Sequence, residues 1–402
     1  MAIPRSRPYT GPILFSIGFR PFFLLAALWA AVAIPLWLLI YADQSALPMV
    51  LAPAVWHVHE MIFGYGAAVV AGFLLTAIPN WTARPPVQGG PLALLVLLWS
   101  VGRLAVLFPG QIGGAGVAAI LDLAFPLAFL CVAAREIGAA RNWRNLPIVG
   151  VLGLLFFGNL LVHLEALGLT TTAALGNRLG VATLLMLISL IGGRVIPGFT
   201  RNWLAKTQPA ATTPAPFGTL DRIALALTGL ALVLWVLLPD ELISSWAALA
   251  AGIALAIRLG RWQGSATWRE PLLWVLHLGY GWLALGFLLL ALDGFMPLLP
   301  PAAALHALTI GAIGTMTLAM MTRVSLGHTG RALTAGHGTT SLYALVTLAA
   351  LLRLVAPLAG GQYLFVLSLS GAAWCGAFGL YLLLYCRPLM SPRLKPAEAR
   401  PG

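Results

Sequence analysis

Long apolar segments follow one another along the chain and are separated by short polar stretches. A helix needs ~20 mainly apolar residues to cross the hydrocarbon core of a bilayer. The pattern predicts an all-α, polytopic membrane protein with twelve transmembrane helices, forming a single transmembrane domain over residues 1–402. The longest connection, about 198–220, is the candidate hinge between halves. The predicted spans are about 19–41, 53–79, 91–108, 114–134, 146–168, 179–197, 221–238, 243–260, 271–292, 302–321, 340–357 and 363–386.

The charges between the spans predict their orientation. Basic residues concentrate at every second connection and at both termini, where Arg5 and Arg7 precede the first span. Since Lys and Arg favour the cytoplasmic side, both termini are predicted to be cytoplasmic. No small-residue cleavage site follows the first apolar run, which is interpreted as a retained helix. The outer connections carry Asp43, Asp240, Glu241 and Asp293. The basic exceptions toward the outside are Arg103, Arg178 and Arg353.

Composition excludes two other classes of protein. The chain is 60% hydrophobic and only 8% charged, whereas a soluble domain has roughly 25% charged residues. The net charge of +12 lies in short clusters between apolar runs, which indicates topology and no nucleic-acid partner. The cysteines Cys131, Cys375 and Cys386 form no C-x-x-C pair, so a disulfide framework is not expected.

The inner ends of three spans resemble one another. Residues 194–200 and 323–329 both fit R-V-x-x-G-x-T, and residues 78–82 are close to residues 196–200. These matches lie in the second, sixth and tenth spans, which favours a pseudo-threefold repeat of a four-helix unit. The alternative is a shared way of ending a helix with Pro or Gly near the membrane surface.

The predicted topology places the seven histidines by depth. His57, His59, His163 and His306 fall in one layer near the outer surface, and His277 lies toward the inner side. His328 and His337 are expected in the inner loop after the tenth span. Neutral imidazole binds iron, copper and zinc, and an axial histidine can hold a b-type haem. The alternative for each intramembrane histidine is a hydrogen bond between helices.

The helix periodicity predicts which of these residues share a face. His57, Glu60, Gly64, Ala67, Ala68 and Ala71 form a small face that would let a flat macrocycle approach. His57 and His59 are about 200° apart around an α-helix, so they cannot both ligate one metal unless the helix start is unwound. Glu60 is a candidate proton relay, second-shell partner or paired buried charge. Asp122 is another candidate proton carrier, without a named partner.

Five motifs spread over most of the chain resemble the NnrS family. They are residues 19–23 (FRPFF), residues 56–64 (WHVHEMIFG), residues 72–82 (GFLLTAIPNWT), residues 193–202 (GRVIPGFTRN) and residues 322–331 (TRVSLGHTGR). The resemblance implies a bacterial inner-membrane protein with haem b and copper. It also implies a link to nitric oxide metabolism, denitrification and nitrosative stress resistance. The family's recurrent histidines match His57, His59, His163, His277, His306 and His328.

A weaker resemblance is architectural. Haem-copper oxidases and their nitric oxide reductase relatives also have twelve spans in pseudo-threefold order. This chain has no adjacent His-His pair, and its sixth and seventh spans have no histidine. The usual copper ligand set is therefore missing.

The sequence favours a haem- and copper-binding protein that handles nitric oxide from the outer side. In this hypothesis His59 and His306 ligate haem, while His57 and His163 serve the same site or a copper. Glu60 is the proton donor or second-shell residue, and His277 and His328 form an inner site, for a quinol or a second cofactor. The alternatives are a metal or small-anion transporter, and a haem or copper sensor or delivery protein. The sequence does not separate catalysis from binding.

Overall fold

The computed structural model describes residues 9–42, 51–208, 211–296 and 300–394. Within these ranges the chain is helical and has no strand, and the predicted twelve spans are confirmed as helices long and apolar enough to cross a membrane. Arg5, Arg7 and Asp43 lie outside the described residues. The spans are α1 (Phe19–Tyr41), α2 (Pro53–Thr82), α3 (Gly90–Leu107), α4 (Ala115–Ala139), α5 (Trp143–Ala166), α6 (Ala173–Thr207), α7 (Thr219–Leu237), α8 (Leu242–Gly260), α9 (Pro271–Phe295), α10 (Ala302–His328), α11 (His337–Leu358) and α12 (Gly360–Met390).

Helices α6 and α10 extend past the C-terminal ends that the sequence predicts. Helix α6 continues through Pro197 to Thr207, which shortens the connection expected at about 198–220. Helix α10 continues to His328 and ends just before Gly330, whose φ is 77°. The expected loop position of His328 is therefore wrong, because this residue lies on the last turn of a helix. His337 begins the next helix and is likewise not a loop residue.

The chain divides into two compact units. Unit 1 consists of Met1–Gly180, Val324–Ala332 and Tyr381–Gly402, and unit 2 consists of Val181–Arg323 and Leu333–Leu380. The expectation of a single transmembrane domain stays a prediction.

Small residues let the helices approach closely within each unit. In unit 1, a Cβ added to Gly176 of α6 would collide with the carbonyl of Gly158 on α5. In unit 2, Gly252 of α8 lies against Leu288 of α9, where an added Cβ would be 2.7 Å from Cδ2. Close approach at small residues provides the packing contacts that hold helices together in lipid.

Three spans contain a π-helical segment among the described residues. These segments are Glu60–Gly66 in α2, Ile188–Gly192 in α6 and Ala307–Gly314 in α10. A π-helix rotates the residues that follow it relative to an α-helix and often marks a functional site. The same three spans carry the sequence repeat toward their C-terminal ends, so the repeat has a backbone counterpart.

Candidate metal centre in unit 1

The π-helical segment of α2 positions the first two residues of the site. Helix α2 begins at Pro53, where the missing N–H of proline is tolerated, and it changes to π geometry directly after His59. His59 and Glu60 are both fully buried. Nδ1 of His59 lies 2.9 Å from Oε1 of Glu60, so the neighbouring carboxylate fixes the orientation of the imidazole.

The opposite edge of His59 faces α4 and α5. Its Nε2 lies 2.8 Å from Oδ1 of Asn159 and 3.2 Å from Oδ2 of Asp122. Asn159 and His163 are one turn apart on α5, so both reach the same neighbour. Asn159 donates to Oδ2 of Asp122 at 2.8 Å, and Nε2 of His163 lies 2.8 Å from the same oxygen. Oδ2 of Asp122 is therefore the point where the polar side chains of α2, α4 and α5 converge.

Arg103 of α3 links the two carboxylates from a buried position. Its Nη1 donates to Oε2 of Glu60 at 2.7 Å, and its Nη2 donates to Oδ1 of Asp122. Trp29 of α1 adds a second donor to Oε2 of Glu60, at 2.8 Å. Glycine is needed at position 64, because an added Cβ would lie 2.9 Å from each of these three side chains.

These groups carry a net negative charge in a buried position. Glu60 and Asp122 bring two negative charges, and Arg103 brings one positive charge. The side chains of His59, Glu60 and Asp122 are fully buried, and that of Arg103 is 4% exposed. Since uncompensated charge is costly in a membrane interior, this cluster favours one further positive charge, from a proton on an imidazole or from a bound cation.

One family profile matches nearly the whole chain. The profile described as "NnrS protein" covers residues 13–393. The chain belongs to the NnrS family. Membership supports a membrane protein related to nitric oxide. No curated protein matches the chain.

The site of this NnrS protein fits a single metal ion. One ligand atom from each of His59, Asp122 and His163 lies within 4.8 Å of the others. The separations of 3.2 and 2.8 Å from Oδ2 of Asp122 to the two Nε2 atoms suit metal–ligand bonds of about 2.0–2.2 Å. Two imidazoles and a carboxylate suit iron, copper or zinc. Glu60 on Nδ1 of His59 also supplies the carboxylate partner that metal-ligating histidines commonly have.

The same surroundings do not fit a haem. The small face expected on α2 is filled, because Trp29 and Arg103 pack against Gly64. Two glycines of α10, the helix that carries His306, are also packed against indole rings, since an added Cβ on Gly311 would lie 2.7 Å from Trp282. An added Cβ on Gly314 would lie 2.6 Å from Trp374. The small residues on these faces therefore serve contacts with indole and guanidinium groups, and they leave no slot for a macrocycle beside them.

The other predicted histidines contact different groups. His57 stacks on Trp37 of α1, with ring centroids 4.8 Å apart. In unit 1, His328 packs beside Phe19 at 5.6 Å. In unit 2, Nδ1 of His306 lies close to the carbonyl of Ala302, and Nε2 of His277 lies 3.0 Å from Oγ1 of Thr200. Of the predicted site residues, the structure brings together His59, Glu60 and His163 around one point.

Three contributors were not assigned to the site from the sequence. Asp122 was noted as a charged residue in an apolar span, but it had no partner. Arg103 was noted only as a basic exception on the outer side, and Asn159, one turn from His163 on α5, was given no role. A shared signal was present, since Arg103 and Asp122 are polar residues in apolar spans at the depth predicted for His59 and His163.

Proposed function

We propose that this NnrS protein binds one copper or iron ion through His59, Asp122 and His163, and that nitric oxide binds or is converted there. The convergence of these three buried ligand atoms carries the proposal. The metal would supply a binding place for nitric oxide and a one-electron redox couple. Nitric oxide is small and uncharged, so it can reach a site enclosed by apolar side chains within a bilayer.

Each residue around the ligands has a separate task in this proposal. Glu60 accepts a hydrogen bond from Nδ1–H of His59, and this bond directs Nε2 of His59 toward the metal. Arg103 holds Oδ1 of Asp122 and thereby directs Oδ2 to the two imidazoles. Glu60 is also the candidate for passing a proton to a reacting group, because its buried carboxylate is already hydrogen-bonded to His59.

Other parts of the expected function rest on the family and on the charge pattern. They are a bacterial inner membrane, cytoplasmic termini, and roles in denitrification and nitrosative stress. A quinol as electron donor rests instead on the inner site proposed from the sequence at His277 and His328. Haem b is implied by the family alone, and no step is assigned to it because side chains fill the space beside Gly64 of α2 and beside Gly311 and Gly314 of α10.

Metal content of point variants tests the proposal. The full chain in detergent is loaded with Cu(II) or Fe(II), freed of loose metal and analysed by mass spectrometry, with nitric oxide added to follow the optical spectrum. We expect about one ion per chain in the parent protein and its loss in His59→Ala and His163→Ala. The matched control is His57→Ala, because His57 lies in the same helix and stacks on Trp37. Full metal content in His163→Ala would contradict the site.

A further inference from the structure

Arg103 is the arginine that bonds both carboxylates of the metal-centre cluster. It is bonded to Glu60 and Asp122 together, and it is 3% exposed. Its Nε is buried without a hydrogen-bond partner among the described residues. The positive charge of this guanidinium therefore contributes to the net charge of the whole site, and not to a single ion pair.

The charge of the loaded site follows from these residues. Glu60, Asp122 and Arg103 together carry one negative charge, and neutral imidazoles add none. A divalent ion on His59, Asp122 and His163 would therefore leave one positive charge inside the protein. Isolated charge in a low-dielectric interior is unfavourable and is commonly neutralised by a partner.

We propose that the loaded site takes up one small monovalent anion, of the class of nitrite and azide, and that Arg103 is the residue that creates this requirement. The inference rests on the metal site proposed above. The enclosure of the cluster restricts the ligand to a few atoms, because Phe63 and Trp29 lie against His59 and Glu60. One-electron oxidation of nitric oxide together with water gives nitrite, so a nitrite ligand is chemically close to the substrate.

A series of three variants changes the charge of the loaded site by known steps. Arg103→Met removes the positive charge and makes the site neutral with a divalent ion. Glu60→Gln removes a negative charge while keeping an oxygen that can accept the Nδ1 proton of His59. Arg103→Lys keeps the charge and tests whether the guanidinium shape matters. At an effective dielectric of about 20, a unit charge several Å away changes an equilibrium constant by roughly 10- to 100-fold.

The experiment uses the full chain in detergent with Cu(II) as the metal and azide as the probe. Cu(II) binding is measured first without azide, and azide is then titrated while the electron paramagnetic resonance spectrum and the azide-to-copper optical band are recorded. We expect azide affinity to rise roughly 10- to 100-fold in Glu60→Gln and to fall by a similar factor in Arg103→Met. Arg103→Lys should stay within a few-fold of the parent protein. Nitrite should compete with azide in the parent protein.

The outcomes separate this inference from the metal site itself. The matched control is Arg258→Met, the same substitution at a buried arginine of unit 2, which should leave azide affinity unchanged. Copper that binds with no response to azide would overturn the anion inference and leave the metal site intact. Equal azide affinity in the parent protein and in copper-loaded Arg103→Met or Glu60→Gln would do the same. A parent protein that binds no Cu(II) would overturn both proposals.

Discussion

Each unit buries an arginine against an aspartate from an adjacent span, yet only the pair in unit 1 belongs to a candidate metal site. In unit 1, Arg103 of α3 bonds Asp122 of α4. In unit 2, Nε of Arg258 on α8 donates to Oδ1 of Asp221 on α7 at 2.8 Å. Both arginines are almost inaccessible, at 3% and 0% exposure. A buried ion pair is therefore not enough to identify a functional centre.

The difference lies in what surrounds the pairs. Arg103 also bonds a second carboxylate, whereas Nη1 of Arg258 donates to neutral oxygens, the Ser189 carbonyl at 3.0 Å and the Tyr280 hydroxyl at 2.9 Å. The ring of Trp262 lies 5.4 Å from the same guanidinium. A second arginine, the partly exposed Arg261, also bonds Asp221 at 3.3 Å, so the charged groups of unit 2 carry no excess negative charge that would call for a cation. Excess negative charge together with two imidazoles distinguishes the cluster of unit 1.

The π-helical segments act alike in the two units. In α2, the carbonyl of Gly64 accepts a hydrogen bond from Nε1 of Trp99 at 3.0 Å. In α6, the carbonyl of Ser189 accepts one from Arg258. The wider π-helical turn lets a carbonyl bond a side chain of another span, since its own helix does not use it fully. A repeated backbone device thus supports a charged site in one unit and a structural pair in the other.

The largest difference in metal affinity between the two units is expected when their aspartates are replaced. Asp122→Ala removes a ligand of the proposed metal and the partner of four side chains, so metal affinity should fall by more than about 100-fold, the upper range for losing an outer partner of a ligand. Asp221→Ala should leave metal affinity unchanged, because Asp221 bonds only Arg258, Arg261 and the backbone of Gly218 among its recorded contacts. Equilibrium dialysis with Cu(II) measures both.

Equal losses of metal affinity in the two aspartate variants would show that the distinction between the units is wrong. Both variants should unfold at lower temperature than the parent protein, since each removes a carboxylate that bonds a buried arginine. Thermal unfolding in detergent therefore provides the matched reference for folding damage.

The sequence predicts the architecture of this protein better than its site. Span number and helix type follow from long apolar segments, and the errors fall where Pro197 and Gly198 remain inside a helix. The small face of α2 was misjudged because the π-helix after His59 changes the register and because Gly64 accommodates Arg103 and Trp29. The pairing of Asp122 with His163 depends on the packing of α4 against α5, which no local pattern records.

The ion pair of unit 2 should behave as a structural element alone. Arg258→Met leaves Asp221 buried and only partly compensated by Arg261 at 3.3 Å, so the free energy of unfolding should fall by about 3 kcal/mol. Arg258→Met combined with Asp221→Leu should recover most of this loss, because an apolar pair can replace a buried ion pair without large cost. Unfolding in mixed detergent measures both, and full metal content is expected throughout. A double variant no more stable than Arg258→Met would contradict this interpretation.

A methyl group at Gly64 should disturb the metal centre without touching a ligand. In Gly64→Ala the added Cβ would press on Arg103, Glu60 and Trp29, so the orientation of His59 should loosen and metal affinity should fall by about 10-fold. The control is Gly153→Ala on α5 in the same unit, where an added Cβ meets nothing within 4 Å. Metal affinity that responds equally to both substitutions would exclude a local effect at the centre.

The smallest effects should come from single neutral hydrogen-bonding groups beside each arginine. Trp29→Phe removes the indole donor to Glu60 in unit 1, and Tyr280→Phe removes the hydroxyl beside Arg258 in unit 2. Each should reduce the free energy of unfolding by about 2 kcal/mol, because a lost hydrogen bond to a charged group costs this order. Only Trp29→Phe should also weaken metal binding, by a few-fold, since Glu60 orients the ligand His59, whereas Tyr280 bonds Arg258 of unit 2. A copper titration measures this affinity. A changed copper affinity in Tyr280→Phe would show that the Arg258–Asp221 pair of unit 2 is coupled to the metal centre.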